Sequence, residues 1–211
     1  MDIQEPAFVS SASVAAELAT VSQIAKEMSI SVKNAKAIAN RAGAKARGFS
    51  PITDFIDEMS VETMKLVNRI NAESVELSTI AISDLRNQES YEKFLEVTIN
   101  SQNSKYIGSL EASVSRVRNR RYEGHVKLIK FSKMLQNLLD DIGQRMAVAN
   151  VIVSNSRIEA VNAEEYRANL ESIANDIEAS CEVIRERVKV SQNRLVQAVQ
   201  EWKRKVNYEI S

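Results

Sequence analysis

The sequence predicts an all-α protein built from elongated antiparallel helical hairpins that pack as a four-helix coiled-coil bundle. Three observations carry this. The 211 residues include only 5 Gly and 2 Pro, where average usage would give about 15 and about 10, so a turn-rich sandwich, barrel or doubly wound sheet is excluded. Hydrophobic residues make up 44% but aromatics only 5%, which suits narrow seams of Ala, Val, Ile and Leu. Apolar residues recur at spacings of three and four along nearly the whole chain.

The first helix carries Val14, Leu18, Val21, Ile24, Met28, Val32 and Ala35, and is expected over about residues 12–42. The segment from Arg41 to Pro51 breaks it: Gly43 suits a left-handed C-cap, Ser50 an N-cap and Pro51 the first turn of the next helix. The second helix, over about 51–100, runs through Ile52, Ile56, Met59, Ile70, Leu77 and Leu85 to Ile99. It outlasts the first, so residues 1–12 or a second copy of the chain in a homodimer would fill the gap in the four-helix layer.

The polar stretch Asn100-Ser101-Gln102-Asn103-Ser104 is the best second corner. The third helix follows with Leu128, Leu135, Leu138, Ile142 and Ile152 in near-heptad register. A corner is expected near 154–162, with Asn162 and Glu165 as a capping box; the start at Ser154-Asn155-Ser156 is the alternative. The last helix carries Leu170, Ile177, Cys181, Ile184, Val188, Leu195 and Trp202. Residues 1–103 and 104–211 thus form one hairpin each, expected to share one bundle. No short tandem repeat is visible.

Charge and chemistry exclude several functions. Lys+Arg and Asp+Glu both number 28, so net charge argues neither for nucleic acid nor for an anionic membrane. The N-terminus has no basic leader region, no apolar run is long enough to span a bilayer, and the single Cys181 suits a reducing compartment. A cytoplasmic protein is expected. One His125 and one Cys181 cannot build a metal site or a nucleophilic pair. Adjacent acids at Asp140-Asp141 and Glu164-Glu165 diverge on a helix and cannot act as a facing pair. No enzyme, cofactor or metal is expected. The densest basic stretch, Arg116, Arg118, Arg120, Arg121, Lys127, Lys130 and Lys133, reads as a solvated face or a stripe for an acidic partner.

The first corner carries more specific residues. Ile24-Ala25, Asn34-Ala35, Ala39, Arg41-Ala42-Gly43, Arg47-Gly48-Phe49, Asp54, Ile56, Thr63 and Ile70 lie without a gap on one pattern between Val21 and Ile70. This stretch resembles the cytoplasmic signalling hairpin of bacterial methyl-accepting chemotaxis receptors. The resemblance implies a tip that binds a histidine kinase, its adaptor protein or neighbouring receptor dimers through Asn34, Arg41, Gly43, Arg47, Gly48 and Phe49. The sequence departs from that family where its two tip glutamates fall on Ile38 and Ala44, where a leucine is Lys33, and where a valine is Pro51. Glu164-Glu165, between Ala160 and Ala168, only partly matches the family's methylation sites. The expected function is chemoreceptor-like signalling by protein binding; the alternatives are a coiled-coil scaffold and a bundle that holds a small ligand between its helices.

Overall fold

The computed structural model describes residues 7–100 and 108–210. Four helices account for nearly all of them: α1 (Ala7–Ala42), α2 (Phe49–Asn100), α3 (Gly108–Val161) and α4 (Arg167–Ile210). They pack against one another as an all-α helical bundle, with no strand among the described residues. No described helix is long and apolar enough to cross a membrane. The predicted corner at Asn100–Ser104 lies outside the described residues, except that α2 reaches Asn100.

Two boundaries differ from the sequence reading. Helix α1 starts at Ala7 rather than near residue 12, because nothing after Pro6 interrupts it. Helix α3 runs through 154–161 and turns only at Asn162–Tyr166. Ser154 and Ser156, read as possible breakers, instead donate their hydroxyls to the Asn150 and Val153 carbonyls (3.0 and 2.6 Å) and stay helical. The Asn162–Glu165 capping box does not form. Asn162 N–H donates to the Glu159 carbonyl (3.2 Å) and closes the outgoing helix, and the following 3-10 turn, Glu164–Tyr166, has no side-chain cap.

Contacts gather the chain into two compact units that cut across both hairpins. The first comprises residues 13–72 and 136–193 and contains both hairpin corners. Among the described residues the second comprises the start of α1 (7–12), residues 73–100 and 108–135, and the end of α4 (194–210).

In the corner unit the buried residues step by three and four: Leu18, Val21, Ala25, Met28, Val32, Ala35 and Ala39 on α1, then Ala46, Phe49, Thr53, Ile56, Ser60, Thr63 and Val67. The rhythm passes through the turn itself, with Ala42 half-buried between Ala39 and Ala46. α3 and α4 repeat it as Leu139, Ile142, Met146, Ala149, Val153, Ser156 and Ala160, then Ala163, Leu170, Ala174, Ile177, Cys181, Ile184 and Val188. The left-handed residues of the two turns, Gly43 (φ 63°) and Glu164 (φ 47°), fix the offset at 164 minus 43, or 121 residues. At that one interval Leu18 pairs with Leu139, Val32 with Val153, Ala39 with Ala160, Phe49 with Leu170, Ile56 with Ile177 and Val67 with Val188. Large and small exchange at Ala25/Met146 and Met28/Ala149, and only Arg167, opposite Ala46, leaves the seam. The two hairpins of the corner unit thus share one pattern of buried positions.

The two copies fill their seams differently. The first buries Ser60 and Thr63, whose hydroxyls donate to the Ile56 and Met59 carbonyls (2.7 and 2.8 Å) and so leave no unpaired donor. The second has Cys181 and Ile184 at those positions. Cys181 Sγ lies 3.8 Å from Met28 Sδ of the first copy. Its thiol is pushed up to about 12 by burial and then by Glu182 and Glu178, so it stays protonated and inert at neutral pH. The second unit buries a sparser seam, Leu77, Ala81, Val117, Leu128 and Leu195, and admits Arg121 and His125 to it.

Glu164 is the one described non-glycine residue at positive φ, a conformation in which its Cβ crowds the following carbonyl. Glu164→Gly should therefore stabilise the fold by about 0.5–1 kcal/mol, since the exposed ion pair it gives up contributes little. Gly43→Ala should destabilise by about 1 kcal/mol, although nothing lies within 4 Å of the added methyl group. Urea unfolding of the two variants checks both signs.

Candidate functional site

The two corners lie together at one end of the corner unit. Ala35, Ala39, Ala46 and Phe49 of the first hairpin share a buried cluster with Ala160, Ala163 and Leu170 of the second, and Ile38, Ala42, Tyr166 and Ile173 pack around it. Alanine at five of these seven buried positions keeps the side chains between helices short, which sets how closely they approach. Lys45 pairs with Glu164 across the corners, and that carboxylate raises the lysine above its ordinary range, through the hydrogen bond first and charge second.

The predicted site residues divide between the inside and the outside of this end. Phe49 is 2% exposed and works as the plug of the cluster. Gly43 makes the turn through its positive φ. Gly48 serves by close approach: a Cβ there would stand 2.2 Å from Glu159 Oε2 and 2.5 Å from its Cδ, so Glu159 lies directly over it. Arg41 and Arg47 are exposed and form no ion pair with the described residues.

Asn34 and Arg41 come together in a surface groove of about 460 Å³. Ala37 and Ile38 complete its α1 wall, and Asn169, Ser172 and Ile173 of α4 form the other. One guanidinium, two amides and a hydroxyl stand there over aliphatic side chains. Such a lining can hold a carboxylate and the apolar stem beside it. The outer faces are apolar as well: Ile30 is 52% exposed on α1, and Val148, Val151, Ile158 and Val161 are 48–67% exposed on α3, with Asn155 among them. Ile30 and Val151, and Asn34 and Asn155, are pairs at the repeat interval. Solvent-facing aliphatics grouped on one helix face are the mark of a contact surface.

The basic stretch on α3 lies in the second unit and does not form one face. Arg116 donates to the Ala112 carbonyl and to Ser113 Oγ (both 3.2 Å). Arg118 donates to the Tyr91 hydroxyl (3.3 Å). Arg121 is 4% exposed and stacks 5.4 Å above the Tyr91 ring. Arg120 faces solvent. Sequence reasoning missed Glu159, Asn169, Ser172 and Ile173; their signal was the 121-residue interval, which places Glu159 on Ile38 and Asn169 on Gly48. Compared with known proteins, the chain matches no family model, no curated protein and no solved structure.

The contact between Gly48 and Glu159 gives a direct check on how the corners meet. Gly48→Ala must drive the Glu159 side chain aside, whereas Gly48→Ala combined with Glu159→Ala should be tolerated better than the sum of the single changes. A double-mutant cycle by chemical unfolding should show a coupling of at least about 0.5 kcal/mol.

Proposed function

We propose that the protein is a chemoreceptor-like signalling protein that acts by binding, and that its two corners jointly form the tip. The observation that supports this is the placement of acids at the repeat interval. Glu159 and Glu165 stand where the second copy repeats Ile38 and Ala44, the two positions at which the first hairpin lacks the glutamates of the receptor pattern. The first copy supplies Asn34, Arg41, Arg47 and Phe49, and the second supplies Asn155, Glu159 and Glu165. One chain would then carry the set that receptors present on paired hairpins, split between unlike halves.

In this reading the exposed guanidinium groups of Arg41 and Arg47 meet acids of a receptor, histidine kinase or adaptor protein, and the exposed aliphatics beside them exclude water from the contact. The work is done in the cytoplasm, and it needs no covalent chemistry. Titrating the purified protein into a reconstituted receptor, kinase and adaptor complex should change the rate of kinase autophosphorylation in a dose-dependent way. Arg47→Glu should abolish the change while leaving helicity intact. An effect that survives Arg47→Glu would reject the tip as the binding surface.

The aliphatic face Val148, Val151, Ile158 and Val161 favours a second reading, a coiled-coil scaffold assembled through α3. It is distinguished in the same experiment by self-association without any effect on kinase, lost in Val151→Asp rather than in Arg47→Glu.

A further inference from the structure

The groove between α1 and α4 in the corner unit holds unspent hydrogen-bonding capacity. Asn34, Arg41, Asn169 and Ser172 line it, and no acid stands among its lining residues. All four side chains are exposed, and none makes a hydrogen bond or ion pair with the described residues. Beneath them Ile38 and Ile173 are half-buried and form an aliphatic floor. A solvent-borne group can therefore reach one guanidinium, two amides and a hydroxyl without displacing any bond of the protein itself.

The corresponding place on the other side of the corner is already occupied. At the 121-residue interval set by the two turns, Glu159 answers Ile38 and Gly48 answers Asn169. There the Glu159 side chain extends from α3 and lies directly over Gly48, so that its carboxylate takes the space a Cβ would need. On that side the chain supplies its own carboxylate. Between α1 and α4 it supplies an aliphatic residue and a guanidinium, and the groove of about 460 Å³ stays open.

Spacing then decides what kind of carboxylate fits. Asn34 and Arg41 lie two turns apart on one face of α1, about 10 Å along the axis, which is the length of about three extended residues. A guanidinium holds a carboxylate through paired N–H donors, and a side-chain amide offers both a donor and an acceptor to a peptide unit. We propose that this groove captures the C-terminus of a partner protein. The terminal carboxylate is held by Arg41, the preceding peptide units by the amides of Asn34 and Asn169 and the hydroxyl of Ser172, and an aliphatic last side chain packs on Ile38 and Ile173. This inference rests on the corner being a protein-binding tip, and it names the part of the partner that the tip takes.

Isothermal titration of the full chain with N-acetylated tetrapeptides ending in Leu, Val, Ile or Met tests this, with no kinase present. At least one should bind with a dissociation constant of about 1 mM or tighter, and its C-terminal amide at least tenfold more weakly. Arg41→Gln should weaken binding at least tenfold. Ala37→Glu should do the same while helicity by circular dichroism is kept, because the new carboxylate stands four residues before Arg41, where it pairs with the guanidinium and supports the helix. Absence of heat with all four peptides at about 2 mM overturns the proposal. So does N-acetylleucine binding as tightly as the peptides, or binding unchanged by Ala37→Glu. A kinase rate that responds to the protein while no peptide binds removes the groove proposal and leaves the signalling reading standing. Peptide binding without any kinase response does the reverse.

Discussion

The corner unit depends on one packing constraint: the small-residue cluster where the two hairpin turns meet. Ala35, Ala39, Ala46, Ala160 and Ala163 leave just enough room for Phe49 from one side and Leu170 from the other. Larger alanine replacements would wedge the helices apart, and loss of Phe49 would leave a cavity that the stiff helix ends cannot close. Because the seam steps through both turns without losing phase, the cluster also fixes the register of every layer behind it. The turns differ in chemistry, Gly43 against Glu164, yet share the left-handed backbone that lets a helix reverse in this space.

The same repetition gives the corner its functional character. Two identical hairpins would present identical faces, whereas these two share a pattern of buried positions and differ in the charges they carry at the surface. Cationic Arg41 and Arg47 belong to one copy, and acidic Glu159, Glu164 and Glu165 to the other. Internally, the pair Lys45 and Glu164 draws on this division. Externally, it leaves a basic, amide-lined groove at Asn34 and Arg41, and on α3 an aliphatic face. An asymmetric tip of this kind can distinguish two partner surfaces where a symmetric one would offer both the same contact.

The helices were legible because spacing by three and four is a local signal, and the first corner because Gly43 and Pro51 punctuate it. The second corner was read some residues too early for a physical reason. Its left-handed residue is a glutamate, which carries no turn signal, while Ser154 and Ser156 look like breakers yet bond back to their own helix. The internal repeat escaped because burial recurs while many residue identities change: Thr63 answers Ile184, Ser60 answers Cys181, and Phe49 answers Leu170. Of the candidate site, Asn34, Arg41 and Arg47 were found from the first corner alone. Their neighbours Asn169, Ser172 and Ile173 arrive from more than 120 residues away and leave no local trace. Arg121 could have been separated from its basic neighbours, since Val117, Arg121, His125 and Leu128 fall on the buried face. The pairing of His125 with Asp84 could not, because it joins two helices across a corner with no motif of its own.

The central claim is that one chain carries both copies of the hairpin and closes their corners on each other. Cross-linking of Lys45→Cys/Glu164→Cys with a short thiol-specific bismaleimide, in a chain whose Cys181 has been changed to Ser, tests it most directly, because the Lys45–Glu164 pair spans the corners through two extended side chains. The account predicts a bridge formed within single chains, seen as a monomer of altered mobility that is absent from either single-cysteine variant. Cross-linked dimers in place of that monomer, or no cross-link at all, would contradict it.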